Sequence, residues 1–159
     1  MTRQMLLAAG LAVAATCVQA DAIAPDDVTV NEYGDIAQSL TGEPGDPEAG
    51  REIMVDRGLG NCIACHQVSA LDEYPFHGEV GPSLDGVGAR WDAAALRGII
   101  VNADAMFPDS VMPSFYRVSG FVRPGNAYTG RPAEGQLDPL LTAQDIEDVV
   151  AYLMTLTEY

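Results

Sequence analysis

The sequence predicts a small all-α domain that is preceded by an extended segment. Apolar residues recur at helical spacing in several stretches, and no stretch shows the strong polar–apolar alternation of a β-strand. Hydrophobic residues make up 48% of the 159 residues, which is enough for one core and excludes a wholly disordered protein. The chain has only 3 cysteines, which excludes a scaffold held together by many disulfides.

The charge of the chain is strongly negative. It has 23 acidic residues and 8 basic ones, all of them arginine, and its formal net charge is −15. Nucleic acids and anionic membranes bind basic surfaces, so neither is expected as a partner. The acidity fits a basic protein partner or a saline environment, or it serves only to keep the protein soluble.

Residues 1–20 have the pattern of a secretory signal peptide. A positive start at Arg3 is followed by an apolar run and by small residues that end at Ala20. We predict cleavage after Ala20 and export to the periplasm, with no membrane span left in the mature chain. An uncleaved anchor fits less well because the apolar run is short. A lipoprotein cut at Cys17 also fits less well, because Thr16 is unsuited to that cleavage site.

Residues 21–45 are predicted to form an extended N-terminal arm. The segment is rich in acidic residues, proline and glycine, and its one β-like piece spans only residues 28–30. We interpret it as lying outside the core of the domain that residues 46–159 form. An arm of this length either frays or lies on another surface.

The first helix is predicted to begin at Asp46. This aspartate is a favourable N-cap, Pro47 suits the first helical position, and Glu48 places a negative charge in the first turn. Gly58 and Gly60 are expected to end the helix.

Two further helices are predicted, over residues 91–101 and 142–157. The second has the clearer pattern, because Thr142 can cap it, Asp145 follows three residues later, and apolar residues line one face. The segments between the predicted helices are rich in proline and glycine and are expected to be loops.

The motif that carries chemistry is C-x-x-C-H, formed by Cys62, Cys65 and His66. At this spacing two thiols can add to the two vinyl groups of a haem, and the adjacent imidazole is placed to bind its iron. The motif therefore predicts one covalently attached haem c. A thiol redox pair would not need His66, a zinc site would need two more ligands, and so short a loop gains little from a disulfide.

An iron bound by His66 needs a further ligand on its opposite side. Met112 is the candidate that we favour, because Pro113 holds the backbone there in an extended conformation. Met106 and His77 are alternatives. The methionines on the first and last predicted helices are assigned to the core.

Further residues are predicted to surround the haem. The carbonyl of Pro82 is expected to accept a hydrogen bond from the second ring nitrogen of His66 and so to orient the ring. The haem propionates need hydrogen-bond donors, and we favour Arg90 and Trp91 because they follow a glycine-bounded loop. Two other arginines are alternatives, Arg97 and Arg117.

The order of these elements resembles that of the class I cytochromes c. A helix, the C-x-x-C-H motif, G-P-x-L at residues 81–84, M-P at residues 112–113 and a C-terminal helix follow one another over residues 46–159. The resemblance implies a class I cytochrome c fold around one haem. Gly50 and Tyr152 match the small and aromatic residues at which the two terminal helices of that family cross.

A closer resemblance is to the SoxX family, the small monohaem subunits of the SoxAX cytochrome complex. It rests on the combination of the N-terminal arm with several short matches, at residues 39–47, 56–57, 60–62, 81–84, 107–113, 116–117 and 141–153. In that family, a SoxA subunit and SoxX form a periplasmic heterodimer. The complex oxidatively joins thiosulfate to a cysteine of the SoxYZ carrier protein.

The resemblance also implies roles for individual residues. His66 and Met112 would be the axial ligands of the iron, and Cys62 and Cys65 would carry the thioether bonds. The arm of residues 21–45 would lie on the SoxA partner. SoxA would hold the catalytic haem, in a complex that acts as an L-cysteine S-thiosulfotransferase. This chain would be a non-catalytic subunit that passes electrons to a soluble cytochrome c.

A free-standing periplasmic electron-shuttle cytochrome c is the second hypothesis. It has the same haem, and it differs from the first in the role of the arm. A shuttle has little use for an ordered segment outside its haem domain, whereas a subunit can use one to bind its partner.

Overall fold

The computed structural model describes residues 21–126 and 128–158, so the predicted signal peptide lies outside the described residues. The α-helices of this part of the chain are α1 (Pro47–Val55), α2 (Val87–Arg90), α3 (Ala93–Asn102) and α4 (Ala143–Thr155). Short 3-10 turns lie at Pro25–Asp27, Cys62–Ala64, Ser69–Leu71 and Ala103–Ala105. Over the described residues no strand forms, and a single antiparallel bridge occurs. The predicted all-α fold is confirmed.

The helices begin where local chemistry favours a start. The carboxylate of Asp46 accepts from the backbone N–H of Glu48 and caps α1. Thr142 and Asp145 form both hydrogen bonds of a capping box at α4. Asp92 caps α3, which therefore begins at Ala93 rather than at the predicted residue 91. Within the described residues, no helix is long and apolar enough to cross a membrane.

The contact between α1 and α4 depends on Gly50. A Cβ atom at this position would lie 2.0 Å from the carbonyl oxygen of Asp148 and 2.9 Å from the nitrogen of Val149. Only glycine lets the two backbones approach this closely. The predicted small residue at the crossing is thus confirmed for Gly50. The atoms nearest to it are backbone atoms of α4 rather than the ring of Tyr152, which is buried in the core.

The N-terminal arm packs against the helices of its own domain. Ile36 and Leu40 are fully buried in the core. The N–H of Ile36 donates to the carbonyl of Ala94 at 3.0 Å, and the N–H of Ile23 donates to the carbonyl of Leu40 at 2.8 Å. The interpretation of the arm as a segment outside the core is therefore wrong, because these two side chains complete that core.

A buried ion pair joins the arm to α3 and α4. Arg97 donates from Nε to Oε1 of Glu147 at 2.8 Å and from Nη2 to Oε2 at 2.9 Å. Its Nη1 donates to the carbonyl of Ile36 at 2.7 Å, and Oε1 of Glu147 also accepts from the N–H of Leu40 at 2.7 Å. Arg97 is therefore committed to the core, and its proposed alternative role as a propionate donor is wrong.

The next residue of α4 makes a similar connection to α1. Asp148 is buried, and its Oδ1 accepts from the N–H of Asp46 at 2.8 Å and from the amide of Gln144 at 2.8 Å. Two consecutive carboxylates of α4 therefore hold the arm, α3 and the start of α1.

We predict that Glu147→Ala lowers the free energy of unfolding of the haem-loaded chain by about 3–5 kcal/mol, because it leaves the charge of Arg97 buried without a partner. Glu147→Gln keeps an acceptor for Leu40 and should give an intermediate loss. Urea denaturation followed by circular dichroism measures both changes. Glu134→Ala, at an exposed position, is the control and should change the value by no more than about 0.5 kcal/mol. Equal stability of Glu147→Ala and the control would contradict the prediction.

Candidate haem site

The C-x-x-C-H motif lies on a tight turn that is separated from α1 by residues 56–61. Asn61 adopts a left-handed conformation with a φ of 46°, which turns the chain into the 3-10 turn Cys62–Ala64. The N–H groups of Cys65 and His66 both donate to the carbonyl of Cys62, at 3.1 and 3.0 Å. The turn brings the two thiols and the imidazole together, and both cysteines are free and half-buried.

Residues 77–84, named here the return segment, run back along the motif and hold it by backbone hydrogen bonds. These bonds are Gly78 N to Ile63 O at 2.8 Å, Gly81 N to Cys65 O at 2.8 Å and Leu84 N to Gln67 O at 2.9 Å. Glycine is necessary at position 78 because the two backbones approach closely there. A Cβ atom at Gly78 would lie 2.0 Å from the carbonyl oxygen of Ala64.

The ring of His66 is oriented by two neighbours in the return segment. Its Nδ1 lies 2.7 Å from the carbonyl oxygen of Pro82, which confirms the predicted hydrogen bond. A carbonyl oxygen can only accept, so Nδ1 carries the proton, and Nε2 is the nitrogen with a lone pair for a metal. Gly81 leaves room for the ring, because a Cβ atom there would lie 2.3 Å from Cε1 of His66.

His77 holds the chain that follows the motif. Its Nδ1 accepts from the N–H of Val68 at 3.2 Å, and its Nε2 lies 3.1 Å from the carbonyl oxygen of Leu71. Both ring nitrogens are thus used within the loop, so His77 has none free for iron. The sequence placed His77 beside a proline and a glycine, and nothing in that local pattern identified its two distant partners.

Asp85 and Arg90 fix the end of the return segment. The carboxylate of Asp85 accepts from the N–H of Ser69 at 2.8 Å and from its hydroxyl at 2.7 Å. Partial burial alone would raise the pKa of Asp85, but these hydrogen bonds and the charge of Arg90 outweigh that effect and lower it. Arg90 donates to the carbonyls of Asp85 and Ser83, so its predicted contact with a propionate stays a prediction.

Trp91 lies between α2 and α3 and contacts the loop that carries Met112. Its ring and that of Phe107 are edge to face, with centroids 6.1 Å apart and an interplanar angle of 84°. Both rings are partly exposed. The expected contact between Trp91 and a haem propionate is also still a prediction. Arg117 donates to two carbonyls of its own loop, those of Ser119 and Gly120.

Met112 lies in a loop that is fastened to α3. Its side chain is half-buried against the core, and its N–H donates to the hydroxyl of Ser110 at 3.3 Å. Directly after it, the hydroxyl of Ser114 donates to Asn102 Oδ1 at 2.7 Å, and the N–H of Phe115 donates to the carbonyl of Ile100 at 3.1 Å. These anchors hold the backbone on the C-terminal side of Met112.

The other methionines have different surroundings. Met54 is fully buried in the core, and Met154 is partly buried against it. Met106 lies against the arm, where a Cβ atom at Gly34 would come within 2.9 Å of its Cβ. The arm therefore constrains the backbone at Met106.

The surroundings of Cys62 favour the neutral form of its thiol. Burial raises the pKa of the Cys62 thiol to about 12, and the charge of Cys65 contributes to the shift. Within residues 21–126 and 128–158, no three histidine, cysteine or acidic side chains converge as a metal-ion site requires. The alternative of a zinc site on this motif thus has too few ligands in the described part of the chain.

The residues present fit a covalently bound haem. The two free thiols lie on one turn, and the imidazole beside them has its Nδ1 hydrogen-bonded and its Nε2 available. Gly81 provides space at the ring, and the apolar side chains of Val80 and Val111 are exposed to solvent. Exposed apolar side chains next to ligand candidates are typical of a surface that a porphyrin covers.

Comparison with known proteins identifies the family. Residues 47–157 match the cytochrome c family. A chain in the crystal structure of SoxXA from P. pantotrophus is 51% identical, with a TM-score of 0.82, and the match covers 87% of this chain and 100% of that one. The chain belongs to the SoxX family of cytochromes c.

The other comparisons add little to this assignment. The crystal structure of the c-type cytochrome SorU from Sinorhizobium meliloti is 24% identical, with a TM-score of 0.43, and the match covers 69% of this chain and 88% of that one. A comparison with curated proteins gave no match. Membership of the SoxX family establishes the class I cytochrome c fold and haem c as the cofactor.

We predict that Gly81→Ala disturbs the haem site of this SoxX-family chain. The added methyl group would lie within 2.3 Å of the His66 ring, so the ring or the return segment must shift. The free energy of unfolding should fall by about 1–3 kcal/mol, and the visible spectrum should show altered axial ligation. Gly58→Ala is the matched control, since its nearest contact is the flexible carboxylate of Asp56 at 3.2 Å. A wild-type spectrum and stability in Gly81→Ala would refute the assigned role.

Proposed function

We propose that the chain is the electron-transfer subunit of a SoxAX-type complex, which oxidatively couples thiosulfate to a cysteine of a carrier protein. The observation that carries this proposal is the likeness to the SoxXA structure, at 51% identity over the whole of that chain. A fold that matches a subunit along its entire length also supports the same mode of assembly.

The coupling reaction defines what this subunit has to do. A carrier thiol and thiosulfate join through a new S–S bond, and the thiol proton and two electrons are released. When bound, the haem supplies a one-electron Fe(III)/Fe(II) couple. The two electrons therefore leave in two successive single-electron transfers, each completed when a soluble cytochrome c acceptor is reduced.

The residues of this chain hold the cofactor rather than the substrate. Cys62 and Cys65 would form the thioether bonds to the haem, and Nε2 of His66 would be a ligand of its iron. The carbonyl of Pro82 keeps the imidazole in place through Nδ1 at 2.7 Å. Met112 would be the second protein ligand of the iron, and the anchors of its loop on α3 support that role. A thioether ligand favours the reduced iron and raises the reduction potential.

With His66 and Met112 as its two protein ligands, the haem iron would have no coordination site free for thiosulfate. We therefore place the L-cysteine S-thiosulfotransferase chemistry in the SoxA-like partner and assign the chain no catalytic residue. For the same reason, we assign the binding of the SoxYZ-like carrier protein to the SoxA-like partner. The carrier would therefore interact with this chain through the complex.

The location follows from the predicted processing of the chain. Cleavage after Ala20 would release a mature protein that begins at Asp21 and lies in the periplasm, where c-type haem is attached. The arm does not distinguish a subunit from a free-standing shuttle, because it packs on its own domain through Ile36 and Leu40. The preference for a subunit therefore depends on the likeness to SoxXA.

Co-expression with a SoxA-type subunit of the same organism tests the proposed function. We expect the haem-loaded chain to co-elute with that subunit in gel filtration at the mass of a heterodimer. We also expect the complex, supplied with thiosulfate and the carrier, to reduce a soluble cytochrome c. A chain that elutes alone as a monomer would overturn the proposal and favour the shuttle.

The assignment of the sixth ligand has its own test. We predict that Met112→Ala loses the weak near-infrared absorption of a ferric haem with a methionine ligand, and that its reduction potential falls. Met106→Ala is the matched control and should keep both properties. If the band is lost in Met106→Ala and kept in Met112→Ala, Met106 is the ligand.

A further inference from the structure

Residues 117–133, named here the basic loop, carry a charge opposite to that of the rest of the chain. The loop contains Arg117, Arg123 and Arg131 and no acidic residue, whereas the whole chain has 23 acidic residues and 8 basic ones. A local reversal of sign on a strongly charged protein provides a site for electrostatic recognition and orients an approaching partner.

Two of the three arginines of the loop, Arg123 and Arg131, are available to bind a partner. Arg123 and Arg131 are exposed, and neither side chain forms an ion pair within the described part of the chain. The third, Arg117, lies over the ring of Phe121, with its guanidinium carbon 4.7 Å from the ring centroid. Arg117 therefore shapes the loop, and the other two supply its free charge.

Apolar side chains near the tip of the basic loop are exposed as well. Val122 is fully exposed, Tyr128 is 98% exposed and Phe121 is 42% exposed. Several large apolar side chains exposed on one loop make that loop a candidate interaction surface. Tyrosine and arginine are also among the residue types that contribute most to the free energy of protein–protein binding.

The described residues of the basic loop, 117–126 and 128–133, make contacts with one another. Gly125 and Pro132 form an antiparallel bridge, and the side-chain oxygen of Asn126 accepts from the N–H groups of Tyr128 and Thr129, at 3.0 and 2.8 Å. Contacts of this kind reduce the conformational entropy that the residues forming them lose on binding.

The base of the loop is fastened to the N-terminal arm. The hydroxyl of Ser119 donates to Asp26 Oδ1 at 2.8 Å, and the hydroxyl of Tyr116 donates to the carbonyl of Ile23 at 2.8 Å. Burial raises the pKa of Tyr116, which keeps the phenol protonated as a donor. The arm and the base of the basic loop are thus in direct contact.

We propose that the basic loop is the docking element for the SoxA-type subunit, on a face of that subunit that combines carboxylates with an apolar pocket. Arg123 and Arg131 pair with the carboxylates, and Val122 and Tyr128 enter the pocket. This inference rests on the proposed function, because it names the surface by which that complex forms.

The side chains of the loop favour a partner subunit that stays bound over a partner that binds transiently. Permanent interfaces bury more apolar surface than transient ones, so exposed side chains such as Val122 suit a partner that stays bound. A second copy of this chain is disfavoured by charge, since each copy has a formal net charge of −15 and the two repel each other.

The affinity of haem-loaded variants for a SoxA-type subunit of the same organism tests the proposal. Arg123→Glu and Arg131→Glu should each weaken binding by about tenfold or more and reduce the dependence of affinity on salt. The double variant Val122→Ser/Tyr128→Ser should also lose at least about tenfold in affinity, with the salt dependence of the wild type unchanged. Arg57→Glu makes the same charge change at an exposed arginine outside the loop and should bind like the wild type.

The outcomes separate this proposal from the proposed function. Each variant should keep the Soret band and the reduction potential of the wild type, which shows that the haem domain is intact. If the wild type binds and all loop variants bind equally well, the docking role is overturned and the proposed function stands. If the wild type does not bind, the proposed function is overturned. If the wild type forms homodimers that the loop variants lose, the loop binds a second copy and the docking proposal is wrong.

Discussion

The contact between His66 and the return segment is the constraint on which the site depends. The carbonyl of Pro82 sets the rotation of the imidazole, and the missing side chain of Gly81 gives the ring its space. The segment itself is tied to the motif turn by backbone hydrogen bonds. The ligand is therefore positioned by main-chain atoms, which have less freedom than side chains, and such a rigid ligand suits a centre that changes only its oxidation state.

The C-terminal helix connects this site to the rest of the domain. Glu147 receives hydrogen bonds from the arm and from Arg97 of α3, while Asp148 accepts from the start of α1. Because only residues 56–61 separate α1 from the motif turn, the position of the two thiols is related to the crossing at Gly50. The core thus joins segments that are distant in the sequence, and it does so with charged as well as apolar groups.

The features that the sequence predicted correctly are those determined by near neighbours. The caps at Asp46 and Thr142 and the motif turn follow from residues within a few positions of one another. The burial of Ile36 could not be predicted, because the arm has no helical or strand periodicity and the partners of Ile36 lie on α3. Arg97 was misassigned for the same reason, since its partner Glu147 is 50 residues away.

The position of Cys62 bears on how the protein is assembled. Burial raises the pKa of this thiol in the folded chain, which favours the neutral thiol over the nucleophilic thiolate. An open polypeptide does not bury the thiol in this way, so attachment of a porphyrin before the helices close would be the easier order of events.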